Sequence, residues 1–145
     1  MSGRIRSYLH VIIQFSAIFY FVIEFSWIDN SIFRGLIFFG LALATWSIWE
    51  MRKSGLTAMP DPQPQIRLIK SGPYKLIRHP MYTSLFIVLI PIVVFNFSIA
   101  SLIVLIVFSI NQLLKIKFEE KLLCDKISEY RIYMKKTWRL IPWLL

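Results

Sequence analysis

Acidic residues, cysteine and glycine are all scarce in this sequence. Eight Asp and Glu stand against 17 Lys and Arg, a formal net charge of +9. The one cysteine, Cys124, excludes an internal disulfide framework and a multi-cysteine zinc site. The two histidines, His10 and His79, lie far apart in the chain, so no metal-ligand cluster is expected. The five glycines form neither G-x-G-x-x-G nor a P-loop, which excludes a Rossmann dinucleotide crevice and a Walker phosphate cradle. Charged residues of both signs make up only 17% of the chain, against 57% hydrophobic and 16% aromatic, and the mean hydropathy is +0.60. A chain of 145 residues is too short to hide that much apolar surface inside a water-surrounded core, so lipid is expected to take the place of a larger protein interior.

The apolar residues fall into runs. Leu9 to Ile28 is long enough to cross a hydrocarbon core of about 30 Å at about 1.5 Å per residue. It follows Arg4 and Arg6 as a signal peptide would, but no small-residue cleavage site follows, so an uncleaved first span is expected. Asp29 and Asn30 break the run, and Ser31 to Trp49 supplies a second span, with Arg34 near enough to its end to snorkel. Met81 to Leu114 is 34 residues without a charge, too long for one span, and Pro91 with Asn96-Phe97-Ser98 marks a break near its middle. Beyond it, Leu123, Ile127, Tyr130 and Met134 recur at helical spacing among charged residues. The expected fold is an all-α integral membrane protein with about four transmembrane helices, the third and fourth forming a tight hairpin, followed by a C-terminal amphipathic cytoplasmic helix. Residues 1–50 would form an N-terminal transmembrane hairpin, and residues 51–145 a core of cytoplasmic loop, hairpin and C-terminal helix.

On that topology 16 of the 17 basic residues fall on one side, with only Arg34 on the other. The positive-inside bias places both termini and the loop from Met51 to Arg78 in the cytoplasm, the membrane being the inner or plasma membrane if the cell is bacterial. The cationic excess is therefore topological, with some attraction to anionic headgroups, and nucleic-acid binding loses its support. Within the loop, Pro60, Pro62 and Pro64 favour an extended connection. Glu24 sits close to the outer end of the first span, where it can reach water, and Gln14 and Cys124 read as packing residues.

Two cytoplasmic segments carry the candidate chemistry. In Ser71-Gly72-Pro73-Tyr74-Lys75-Leu76-Ile77-Arg78-His79-Pro80-Met81-Tyr82, Gly72-Pro73 makes a turn and His79-Pro80 starts a helix with proline in its first turn. Orphan N–H groups at that helix start, beside Arg78, suit an anion, while Tyr74 and Tyr82 offer ring faces to an adenine or a cation. An interfacial aromatic belt with basic anchors explains the same residues equally well. In Lys115-Ile116-Lys117-Phe118-Glu119-Glu120, Lys115 and Glu119 can form a plain i,i+4 pair, and the adjacent carboxylates can also accept from ribose hydroxyls or an ammonium group.

Taken in order, G-P-Y-x-x-x-R-H-P-x-Y, a span, E-E-x-x-L, E-Y-x-x-Y and a terminal R-x-I-P resemble the isoprenylcysteine carboxyl methyltransferase family and its bacterial relatives, from about Ile66 to Pro142. The resemblance implies S-adenosylmethionine as methyl donor, held in a membrane-embedded pocket. It puts cofactor contacts at Ile66, Arg67, Leu68, Ile69, Tyr74, His79, Pro80, Met81, Tyr82, Glu119 and Glu120. It assigns Lys115, where relatives carry arginine, together with Arg78 to orienting a lipophilic acceptor, favoured as a carboxylate of isoprenylcysteine type. The implied partners are a lipophilic or lipidated substrate and membrane lipids, without nucleic acid or metal. The competing readings are N-methylation of a phospholipid amine, an NADPH-dependent membrane reductase, and a non-enzymatic membrane subunit.

Overall fold

The computed structural model describes residues 2–23, 28–52 and 67–143, without the side chains at 2–4 and 6. Glu24, Lys53, Ile66, the Pro60–Pro64 segment and the side chains of Arg4 and Arg6 lie outside the described residues. Among the described residues five α-helices follow in order: α1 (Ser2–Ile23), α2 (Ser31–Met51), α3 (Pro80–Phe95), α4 (Ile99–Lys126) and α5 (Tyr130–Lys136), with a 3₁₀ turn at Gly72–Lys75 ahead of α3. There is no β-strand among the described residues; an isolated parallel bridge joins Ile77 to Trp138.

The helix boundaries have local causes. Asn30 caps α2, its Oδ1 accepting from the N–H of Ile32 at 3.0 Å and of Phe33 at 3.2 Å. Pro80 occupies the first turn of α3, with His79 as its N-cap. Between α3 and α4, Asn96 closes one helix and Ser98 opens the next by accepting from the N–H of Ser101. The break thus falls at residues 96–98 alone. Pro91 lies buried within α3 and does not end it, since a proline costs the helix one hydrogen bond that a surrounding apolar fold tolerates.

The C-terminal region also differs from the expected amphipathic helix. The stripe of Leu123, Ile127, Tyr130 and Met134 is divided between two elements: α4 runs on to Lys126, Ile127 adopts extended backbone, and α5 starts afresh at Tyr130. The break lets α5 turn Tyr130 and Tyr133 inward, where both are buried.

Two of the helices, α2 and α4, are long and apolar enough to cross a membrane. The apolar window of α2 is only 11% buried, which does not suit the core helix of a soluble protein. Large side chains such as Phe15, Phe19, Phe38, Trp49 and Ile103 point outward, as hydrocarbon surroundings permit. Residues 7–23 of α1 and all of α3 are apolar as well but shorter.

The helices do not pack in sequence order. α2 lies along α3, α1 along α4, and α3 along α4, with little contact between α1 and α2. Gly40 permits the close approach of α2 to α3: a Cβ there would sit 2.7 Å from Val88 Cγ2 and 3.1 Å from the Ser84 carbonyl oxygen. The buried core gathers Ala17, Phe21 and Ile28 with Leu89, Ile92, Val93 and Phe108, and Phe86 meets Phe108 edge-to-face at 5.6 Å. That core fills the half of the bundle near the α3–α4 link. The other half, where α1 begins and α4 ends, holds the polar residues.

Candidate active site

The turn before α3 is fixed first. Gly72 has φ +56°, a left-handed conformation that glycine adopts without strain, and a Cβ there would meet Glu50 Cγ at 2.8 Å. Ser71 Oγ donates to Glu50 Oε2 at 2.6 Å, which ties the turn to the end of α2. From the other side the C-terminal segment straps across. The N–H groups of Arg78 and His79 donate to the carbonyls of Trp138 and Arg139, and the N–H of Trp138 to Leu76. Thr83 Oγ1 donates to the Leu140 carbonyl at 2.8 Å, and the Tyr133 hydroxyl to the Tyr74 carbonyl at 2.5 Å. Of the backbone donors at that helix start, His79 is thus taken by the strap and Tyr82 and Thr83 by the His79 carbonyl, so the chain itself occupies them.

Beneath the strap lies a buried charge cluster. Glu120 accepts from Arg78 Nε at 2.8 Å and from Arg139 Nη2 at 2.7 Å, and His79 Nε2 lies 3.4 Å from its Oε1 without hydrogen-bond alignment. Arg78 Nη1 also donates to the carbonyls of Met134 and Thr137. Glu120 lies past Leu114, where the charge-free run ends. Burial opposes its ionisation, but His79, Arg139 and Arg78 together outweigh burial and hold the carboxyl at about 2.

In front of this cluster a cavity of about 320 Å³ opens among α1, α4, α5 and the segment leading into α3. Its size falls in the range of cofactor and small-ligand sites, about 300–1,000 Å³. The sequence-predicted residues divide around it. Arg67, Leu68, Ile69, Tyr74, Arg78, His79, Met81, Tyr82, Lys115 and Glu119 all line the cavity. Pro80 and Glu120 do not; Pro80 is buried in the first turn of α3, and Glu120 lies behind the wall with its charge already matched. Arg78 reaches the cavity, but its guanidinium is committed to Glu120 and the C-terminal carbonyls.

Lys115 and Glu119 do not simply pair along α4. Glu119 Oε1 accepts from the Tyr82 hydroxyl at 2.7 Å, and its Oε2 lies 4.0 Å from His79 Nδ1. Lys115 Nζ instead donates to Gln14 Oε1 at 2.9 Å and stands 5.2 Å from the centre of the Tyr82 ring. The His79 and Tyr82 rings stack with an interplanar angle of 18°. The buried Tyr74 hydroxyl at the cavity has no hydrogen-bond partner among the described residues, while His79 Nε2 faces Glu120 behind the wall. Burial, then Tyr133 and Glu119, push the Tyr74 phenol well above its ordinary value of 10, so it stays a neutral donor.

Sequence reasoning missed four contributors. His10 and Gln14 of α1 line the cavity together with Ser7. Their 7, 10, 14 spacing, which sets polar side chains on one face of an otherwise apolar helix, was the available signal. Arg139, 19 residues from Glu120 in sequence, becomes its second partner only through the fold.

No curated protein and no solved structure matches the chain. The model of the family described as phospholipid methyltransferase matches residues 30–129, from the cap of α2 to the residue before α5, which takes in the segment entering α3 and the polar end of α4. Since that match spans more than two thirds of the sequence, the chain belongs to the phospholipid methyltransferase family, a family of membrane methyltransferases.

Proposed function

We propose that the cavity is the active site of an S-adenosylmethionine-dependent methyltransferase that modifies a lipophilic acceptor at the membrane surface. The observation that carries this reading is the convergence of Tyr74, His79, Tyr82 and Glu119 on one cavity, with the buried Tyr74 hydroxyl lacking a partner among the described residues. A buried hydroxyl without a partner costs about 1–3 kcal/mol, and a polar ligand relieves that cost. S-adenosylmethionine fits this donor set and, when bound, supplies an electrophilic methyl group on a sulfonium. Glu119 would hold its cationic or hydroxyl-bearing part, Tyr74 and Tyr82 would offer a hydroxyl and ring faces, and Arg67, Leu68 and Ile69 would close the edge. Glu120 and Pro80 act from behind, by keeping Arg78, Arg139 and the start of α3 in place.

Two acceptor classes suit the cavity. A carboxylate is ionised at neutral pH, since its reference value is about 3.5, and needs no base; Lys115 would orient it. The matched family's description names a phospholipid as the methylated molecule, and in an aminophospholipid the accepting group would be an amine. An amine must lose a proton, and the His79 ring, which lines the cavity with its Nδ1 4.0 Å from Glu119 Oε2, is placed to receive it. Methyl transfer has the family's support over nicotinamide-dependent reduction or a purely structural subunit. The proposed setting is four spans with both termini and the cavity in the cytoplasm, α1 and α3 crossing a locally thinned or tilted bilayer.

The experiment is incubation of the protein with methyl-labelled S-adenosylmethionine and a lipid extract. Label should pass into the lipid fraction. Mild alkali then separates the acceptors: it releases methanol from a methyl ester and leaves an N-methyl amine intact. No transfer to any lipid, with the protein folded, would count against the reading.

A further inference from the structure

α1 lies outside the family match, which begins at residue 30, yet it forms one wall of the cavity. Its polar face meets two residues of α4 that are themselves four apart, Asn111 and Lys115, in two rungs. In the first, His10 Nδ1 lies 2.6 Å from Asn111 Oδ1, and Asn111 Nδ2 donates to the His10 carbonyl at 3.0 Å. In the second, Lys115 Nζ donates to Gln14 Oε1 at 2.9 Å. The first rung fixes the register of α1 on α4, and the second uses that register to hold an ammonium group.

The charge balance at Lys115 is the unusual feature. Its hydrogen-bond acceptor is an amide oxygen and its ring contact the Tyr82 face, both neutral, while Glu119, one turn further on, attracts it by charge and bonds to the Tyr82 hydroxyl. Lysine carries three donors and no acceptor. An ammonium at a lipid boundary, lining a cavity and hydrogen-bonded there to a neutral amide, is poised for an anion from outside the chain.

We propose that Gln14 is a positioning residue that holds the Lys115 ammonium toward the cavity, so that α1 and α4 together build a subsite for an anionic oxygen headgroup, carboxylate or phosphate, on the lipophilic acceptor. The inference rests on reading the cavity as the acceptor site. A carboxylate bound there would itself be the group methylated; a phosphate would anchor a lipid whose reacting group lies elsewhere in the cavity.

Three amphiphiles with the same oleyl chain test it: oleate, oleyl phosphate and oleyl alcohol, titrated calorimetrically into the full chain in neutral detergent. At least one anion should bind about tenfold or more tightly than the alcohol, the size of one charge-assisted hydrogen bond, and the better of the two identifies the headgroup. Gln14→Met keeps the side-chain length without the acceptor and should cut that preference severalfold. Gln14→Glu neutralises Lys115 and should abolish it. Lys70→Met, which removes one surface charge paired with Glu129, should retain it. Equal binding of all three by the parent protein, or an unchanged preference in Gln14→Met and Gln14→Glu, overturns the proposal. Titration of the same proteins with S-adenosylmethionine separates the two readings. Unchanged cofactor affinity with a lost anion preference supports the positioning role, because a general structural defect would weaken both. An anion preference in a parent protein that binds no cofactor leaves the subsite standing and removes the methyltransferase reading.

Discussion

Arg78 and Glu120 form an ion pair within the fold: Nε to Oε1 is 2.8 Å, and the two side chains are 8% and 5% exposed. Arg78 stands at the entrance to α3 and Glu120 near the end of α4, so the pair joins the two segments that carry the cavity walls. Arg139 completes it from the C-terminal strap. Removing Glu120 leaves Arg78 buried and charged without its carboxylate, and removing Arg78 leaves Glu120 with Arg139 as its arginine partner and frees the Met134 and Thr137 carbonyls, losses of up to about 3–5 kcal/mol. Glu120→Leu should therefore lower the melting temperature sharply in detergent, and Arg78→Met should do likewise. The double variant Arg78→Met with Glu120→Leu should recover part of the loss; a melting temperature at or below that of the worse single variant would argue against the pairing.

The same carboxylate predicts an acid response. Its folded value, about 2, lies below its ordinary 4.5. The contribution is therefore fully present above about 4.5 and is lost as pH falls toward about 2. Melting temperatures measured from about pH 6 down to about pH 3 should fall for the parent protein by more than for Glu120→Gln, which cannot titrate at this position. Parallel curves for the two proteins would contradict the assignment.

Much of this site was legible in the chain, and the exceptions have physical reasons. Gly72-Pro73 and His79-Pro80 carry their own backbone preferences, so the turn and the helix start followed from residue type. Asn96-Phe97-Ser98 likewise contains its own caps. Glu119 and Glu120 could not be told apart by sequence, because both are carboxylates in one motif. On a helix, neighbours point about 100° apart, which sends Glu119 to the cavity and Glu120 to the cluster behind it. Gln14 read as packing because its partner Lys115 is 101 residues away, and nothing local to α1 announces that contact.

Gly40 tests the packing of α2 on α3. A side chain there must displace Val88 and press on the Ser84 carbonyl, and backbone cannot swing aside as a side chain can. Gly40→Leu should destabilise by about 1–3 kcal/mol, as overpacking does, with Gly40→Ala smaller in effect. Gly35, which has open space around its Cβ position, is the control: Gly35→Ala should leave the melting temperature unchanged or raised.

Tyr74 gives opposite signs for stability and binding. Its hydroxyl is buried without a partner among the described residues, so Tyr74→Phe should keep or raise the melting temperature of the free protein. The same change should weaken binding of a ligand that uses the hydroxyl by about 3- to 10-fold, the net worth of one hydrogen bond. A fall in stability with unchanged binding would assign Tyr74 to the scaffold.

The central claim is that the cavity bounded by Tyr74, His79, Tyr82 and Glu119 holds S-adenosylmethionine. Calorimetric titration of the detergent-solubilised full chain measures it directly, with Glu119→Gln as the paired variant. The account predicts saturable one-to-one binding by the parent protein, weakened about tenfold or more in Glu119→Gln by the loss of a charged acceptor. Absence of binding in the folded parent, or equal affinity in the two proteins, would contradict it.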